Sequence, residues 1–154
     1  NYRNQIGDSY SEQVKSLCKS VFLSEDMQSD ENRAKLMVAS YLGGCAIATS
    51  YVGLIHPFSA GLSVALGYHH CIANCIAFGA LDEFYPEEHR EFKEMLNKQN
   101  ISLPKNISKQ FNSDTLEELY QSTIIHEKPL YNALGHDFKD QLDRKKVDSI
   151  FKKM

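Results

Sequence analysis

Six histidines offer this chain most of its chemistry: His56, His69, His70, His89, His126 and His136. Three of them, His56, His69 and His70, lie in a stretch from Leu36 to Leu81 that contains no Asp, Glu, Lys or Arg. A buried imidazole needs partners for both ring nitrogens. Hydrogen bonds to carbonyls or tyrosines explain any single histidine of this kind. The spacing of His56 and His70 calls for more. Fourteen positions apart on one straight helix, they would be separated by about 21 Å, too far to share an ion. Pro57, Gly61 and Gly67 break that helix and allow the chain to fold back, bringing both rings toward one point. Neutral imidazole is a good ligand for zinc or ferrous iron. His69 and His70 stand about 100° apart on a helix, so one of them at most faces a given ion. Two ligands do not complete a catalytic metal site, which ordinarily has three protein ligands and an open position. The uncharged stretch has no carboxylate to add, and no Asp-x-x-x-His pair occurs anywhere in the chain.

Other site classes are weaker. His136 and Asp140 have helical i, i+4 spacing but sit among Gly135, Asp137 and Lys139, which reads as a solvated turn. His89, between Glu88 and Arg90, reads as exposed. Cys71 and Cys75 share a helix face beside His70 and read as packed core thiols rather than a catalyst. Asp82, Glu83, Glu87 and Glu88 read as a solvated face and a helix start. There is no Walker A loop, no G-x-S-x-G and no strand-associated G-x-G-x-x-G.

The elements that position these residues are helical. Apolar residues Val14, Leu17, Cys18, Val21 and Phe22 give an amphipathic helix over Asp8 to Phe22. Ser29 or Asp30 caps a second helix reaching about Val52, in which Gly43-Gly44 suits a close backbone approach or a bend. Short helices follow at Phe58 to Leu66 and at His70 to Leu81, the latter buried. Pro86 opens a helix to about Gln99. Pro104 to Phe111 is a short helix at best. Ser113 or Asp114 caps a helix to about Ile124 with Leu116, Leu119 and Tyr120 inward. Pro129 to Leu134 is a short piece, and Asp143 caps a final helix to Met154. No β alternation is sustained. The expected fold is an all-α bundle, with the uncharged helices central and the charged ones around them.

Composition bounds the partners. The chain of 154 residues is 42% apolar and 24% charged, an ordinary globular balance. A net charge of −3 gives no electrostatic reason to expect nucleic acid or an anionic membrane. Leu36 to Ile55 has the length of one membrane crossing, but its glycines, serines, threonine and tyrosines make transfer into lipid weak. A buried helix of a soluble bundle is expected instead. Four scattered cysteines without a C-x-x-C point to free thiols in a reducing cytoplasm.

The segment GLIHPFSAGLSVALGYHHCIAN, Gly53 to Asn74, resembles the metal-binding segment of the iron-containing alcohol dehydrogenases, which are related in fold to dehydroquinate synthase. That family places one histidine after a small-residue helix and a second fourteen positions later, followed by Ala-Asn. Here these are His56, His70, Ala73 and Asn74, and MVASYLGGCAIATSYVG is similar to the preceding helix. HPFSAGLSVALGYHHCIANC, LDEFYP and HEKPLYNALG resemble one branch, the 3-deoxy-manno-octulosonate 8-oxidases. The resemblance extends over nearly the whole chain.

The resemblance implies a helical metal-binding domain over residues 1–154, the C-terminal part of a two-domain enzyme. An N-terminal nucleotide-binding α/β domain and an Asp-x-x-x-His ligand pair would precede Asn1. It implies His56 and His70 as ligands of a divalent metal, iron or zinc. NAD(P) would be bound by the preceding domain, with flavin or oxygen as other acceptors. The activity implied is oxidation of a sugar-acid primary alcohol to the aldehyde, by a cytoplasmic homodimer. Many members carry a further histidine four residues after the first ligand. Ala60 stands there in this chain, so that residue's part in proton transfer cannot be carried over; His69 and His126 are the candidates to replace it near the substrate, and spacing supports neither. Two rival expectations stand beside this one: a non-enzymatic helical module that binds a metal or a partner, and dehydroquinate synthase-like lyase chemistry on the same fold.

Overall fold

The computed structural model describes residues 2–154, and they are all-α. In chain order the helices are α1 (Gln5–Phe22), α2 (Asp30–Ser50), α3 (Ile55–Leu66), α4 (His70–Ala80), α5 (Pro86–Lys98), α6 (Ser113–Ile124), α7 (Glu127–Leu134), α8 (Phe138–Gln141) and α9 (Arg144–Lys152), with a 3-10 turn at Ile107–Gln110. They fall into two compact units. One comprises residues 2–51 and 90–102, the other residues 52–89 and 103–154.

The first unit is built on the pairing of α1 with α2. Asn4 caps α1 by accepting from Gly7 N–H, and its own amide donates to Thr49 O at 2.7 Å. The two helices come together where α1 has no side chain. A Cβ on Gly7 would lie 2.5 Å from Ser50 Cβ. Ser29 caps α2. The buried residues of α2 are Asn32, Ala39 and Ala46, a single stripe at seven-residue spacing. Asn32 is satisfied there, donating to Ser24 Oγ and Asp26 O.

This corrects the expectation that the whole uncharged stretch is interior. Met37 is 76% exposed and Tyr41 73% exposed, and Val38 and Ile47 also face outward. The apolar residues of α2 are spread around its circumference, and one stripe contacts α1. Lack of charge permits burial without enforcing it. Gly43 and Gly44 do not mark a close approach either, since no atom lies within 4 Å of where a Cβ on either would stand.

The second unit holds the main core: Leu54, Phe58 and Leu62 of the α3 region, Ala73, Ile76, Ala77 and Ala80 of α4, Leu119 of α6, Leu130 of α7, and Val147, Ile150 and Phe151 of α9. The centre is α3, packed on α4 and α6. Phe58 meets Phe151 with ring centroids 5.2 Å apart. Gly61 lets α3 and α6 touch. A Cβ there would stand 2.9 Å from Thr123 Oγ1 and 3.2 Å from Leu119 O. Buried Thr123 spends its hydroxyl proton on Leu119 O at 2.8 Å.

Several expectations shift at element ends. Helix α3 begins at Ile55, three residues earlier than expected, because Pro57 falls within its first turn, where no N–H is needed. The cap of α6 is Asn112, not Ser113 or Asp114. Asp143 does cap α9, accepting from Lys146 N–H at 2.7 Å. His89 is buried rather than exposed. Its Nε2 lies 3.1 Å from Gly79 O and its ring packs edge-on against Phe78. The flanking charges Glu88 and Arg90 point outward from a helix whose next face is interior, which neighbours in sequence do not reveal. Cys71 is exposed, against the reading of a packed thiol, because the inner face of α4 is taken by Ala73, Ile76, Ala77 and Ala80. Among the described residues no single helix is long and apolar enough to cross a membrane.

Candidate metal centre

The approach to His56 is tied down before the helix starts. Asn132 Nδ2 donates to Val52 O at 3.1 Å, and the Tyr85 hydroxyl lies 3.8 Å from where a Cβ on Gly53 would stand. His56 is then the second residue of α3, half-buried, and its own carbonyl accepts from Ser59 Oγ. Eleven residues on, Gly67 ends the helix at φ +70, with its N–H on Ser63 O. That left-handed position suits glycine and turns the chain back. His70 follows as the first residue of α4.

The reversal brings the two rings together. His56 and His70 have ring centroids 5.2 Å apart, edge to face at 76°. Of the three glycine and proline positions expected to fold the chain back, Gly67 makes the turn. Pro57 and Gly61 lie within α3, and Gly61 serves helix packing.

A third imidazole joins from further along the chain. His126 is the residue before α7, and its ring centroid lies 5.6 Å from that of His56. Its position follows from the α3–α6 contact. Gly61 meets Leu119 and Thr123, and His56 meets His126, so the two segments run in opposite directions. Moving five residues back from Gly61 and a few onward from Thr123 arrives at the two histidines. His126 has no spacing motif relating it to His56. The one signal was Gly61 inside an apolar helix, which marks a close approach without naming the partner. His69 and His70 are both exposed, which corrects the expectation that they are buried, and His69, ahead of α4, makes no capping hydrogen bond. His136 is elsewhere, exposed, against Tyr131 with its Nε2 3.3 Å from the hydroxyl.

Each of the three clustered histidines sits at a helix start: in the first turn of α3, at the first residue of α4, and just before α7. None of these three N-termini has a side-chain cap. Burial, followed by the proximity of His70 and His126, holds the His56 imidazole below the usual histidine range. The partial positive charge of a helix N-terminus acts in the same direction. His56 is therefore kept neutral near pH 7, the form in which a ring nitrogen has a lone pair for a metal.

The donor set fits a divalent transition ion in part. Two imidazoles suit zinc or iron. Among the described residues, however, no group of three or more His, Cys, Asp or Glu side chains is arranged to hold an ion. The chain offers a pair, and further donors would have to come from elsewhere. Ala60, one turn after His56 on α3, adds no donor. A separate open depression lined by Leu23, Arg90, Lys93, Glu94, Asn97 and Lys98 lies in the first unit and contains none of these histidines. No family model matches the chain.

Proposed function

We propose that this chain is the helical, metal-binding part of a metal-dependent alcohol dehydrogenase or oxidase, with a dehydroquinate synthase-like arrangement of helices. The observation that carries the reading is the approach of His56 and His70 across the Gly67 reversal. His56 and His70 would hold the ion through neutral ring nitrogens. Two more ligands would come from the α/β domain implied by the sequence resemblance, which agrees with the pair being incomplete here.

A divalent ion held there would polarise an alcohol oxygen and favour the alkoxide. The chain's own contribution is placement. The uncapped starts of α3, α4 and α7 favour negative charge on an oxygen beside the histidines. His126, against His56, is the group best placed to hydrogen-bond that oxygen where Ala60 leaves no side chain to do so. His69, the other candidate, directly precedes His70 ahead of α4. The substrate would be a primary alcohol of a sugar acid similar to 3-deoxy-manno-octulosonate, with hydride passing to NAD(P) on the companion domain. A homodimer in the cytoplasm is the setting this reading carries with it.

Metal analysis of the protein together with its companion domain tests the proposal. One divalent ion per chain is expected, lost in His56→Ala and His70→Ala along with alcohol oxidation. Purified protein without stoichiometric metal, or a His56→Ala variant with full activity, overturns it. Product analysis separates the rivals: an aldehyde supports the dehydrogenase, a cyclised carbocycle the lyase, and tight metal binding with no turnover the non-enzymatic module.

A further inference from the structure

Cys71 and Cys75 stand four residues apart on α4, so their Cβ atoms lie about 5–6 Å apart on one helix face. Both are free thiols, Cys71 exposed and Cys75 half-buried. Burial, and after it the nearness of Cys71, pushes the Cys75 thiol up. Their separation is too wide for a relaxed disulfide, which needs Cβ atoms roughly 3.5–4.5 Å apart. The helix therefore opposes oxidative closure of the pair. A single larger atom bonded to both sulfurs spans the gap without unwinding the turn.

We propose that Cys71 and Cys75 form a two-thiol site for a thiophilic, three-coordinate centre, the trivalent arsenicals being the chemical class it fits. No third Cys, His, Asp or Glu among the described residues is arranged to complete a larger set around them. That disfavours zinc, which takes four ligands in closed sites. Two thiols are what a monosubstituted arsenical requires. With phenylarsine oxide, two As–S bonds form and the As–O bond is broken. Both thiol protons leave with that oxygen as one water, and no atom changes oxidation state. Exposed Cys71 is attacked first, and Cys75 closes the ring. Cys18 on α1 and Cys45 on α2 lie on different helices, each without a second cysteine one turn away, and serve as internal controls.

Phenylarsine oxide added to the 154-residue chain tests this independently of any activity. The expected result is one equivalent bound, a mass gain equal to the reagent less one water, and protection of Cys71 and Cys75 from alkylation by peptide mapping. Cys71→Ser and Cys75→Ser should each weaken binding by about 100-fold, the loss expected when a chelate becomes a single bond. Cys18→Ser and Cys45→Ser should bind as wild type, and circular dichroism verifies that all four variants stay helical. Failure of the wild-type chain to take up one equivalent, protection of Cys18 or Cys45 instead, or undiminished binding by folded Cys71→Ser overturns the proposal.

Discussion

The rings of His56 and His126 stand 5.6 Å apart, although seventy positions separate them in the chain. One contact sets this distance. Gly61 of α3 rests against Thr123 and Leu119 of α6, and the opposed directions of the two segments then carry their ends to the same place.

His126→Ala distinguishes a substrate contact from a metal ligand. In the proposed enzyme the variant should keep its metal content while the rate of alcohol oxidation falls, by about 100-fold or more for a lost proton-handling group. Loss of the ion in His126→Ala would instead make it a ligand.

Gly61→Ala should destabilise the second unit. Its Cβ would have to stand 2.9 Å from Thr123 Oγ1 and 3.2 Å from a backbone oxygen that cannot move alone. Overpacking of this kind costs about 1–3 kcal/mol. Urea unfolding should show a lower midpoint, and an unchanged midpoint would mean that α3 and α6 are not in close contact.

At Gly67 the cost is conformational rather than steric, because φ is +70 while no atom lies within 4 Å of where a Cβ would stand. Gly67→Ala should lose about 1–2 kcal/mol. Gly67→Asn should lose less, since Asn tolerates the left-handed region. Equal losses for the two would point away from backbone strain.

His89→Ala removes a buried ring and leaves Gly79 O without its partner. The packing of a buried ring against Phe78 is lost with it, so thermal unfolding should shift down. A change too small to measure would place the ring at the surface, as its charged neighbours suggest.

Acid should loosen the first unit through Glu91. Hydrogen bonding to Lys19 and the charges of Lys15 and Lys19 hold its carboxyl below the usual range. A carboxyl with a depressed folded value adds stability that is complete above its unfolded value, about 4.3, and is lost as pH falls through the folded one. Glu91→Gln should flatten that part of the pH–stability curve while leaving neutral-pH helicity intact. An identical acid limb in the variant would show that the pairs contribute nothing.

The helical class was legible from the sequence, because apolar spacing, caps such as Ser29 and Asp143, and Pro86 at a helix start act over a few residues. So was the turn between His56 and His70, because glycine is the residue that accepts φ +70 at little cost. The tertiary structure alone decided which apolar residues are covered. Met37 and Tyr41 carry no charge and are exposed, whereas His89 sits between two charges and is buried. Burial depends on what a facing helix presents, and that partner lies far along the chain. His126 joined His56 for the same reason: its place is fixed by the register of one helix on another, which no local spacing records.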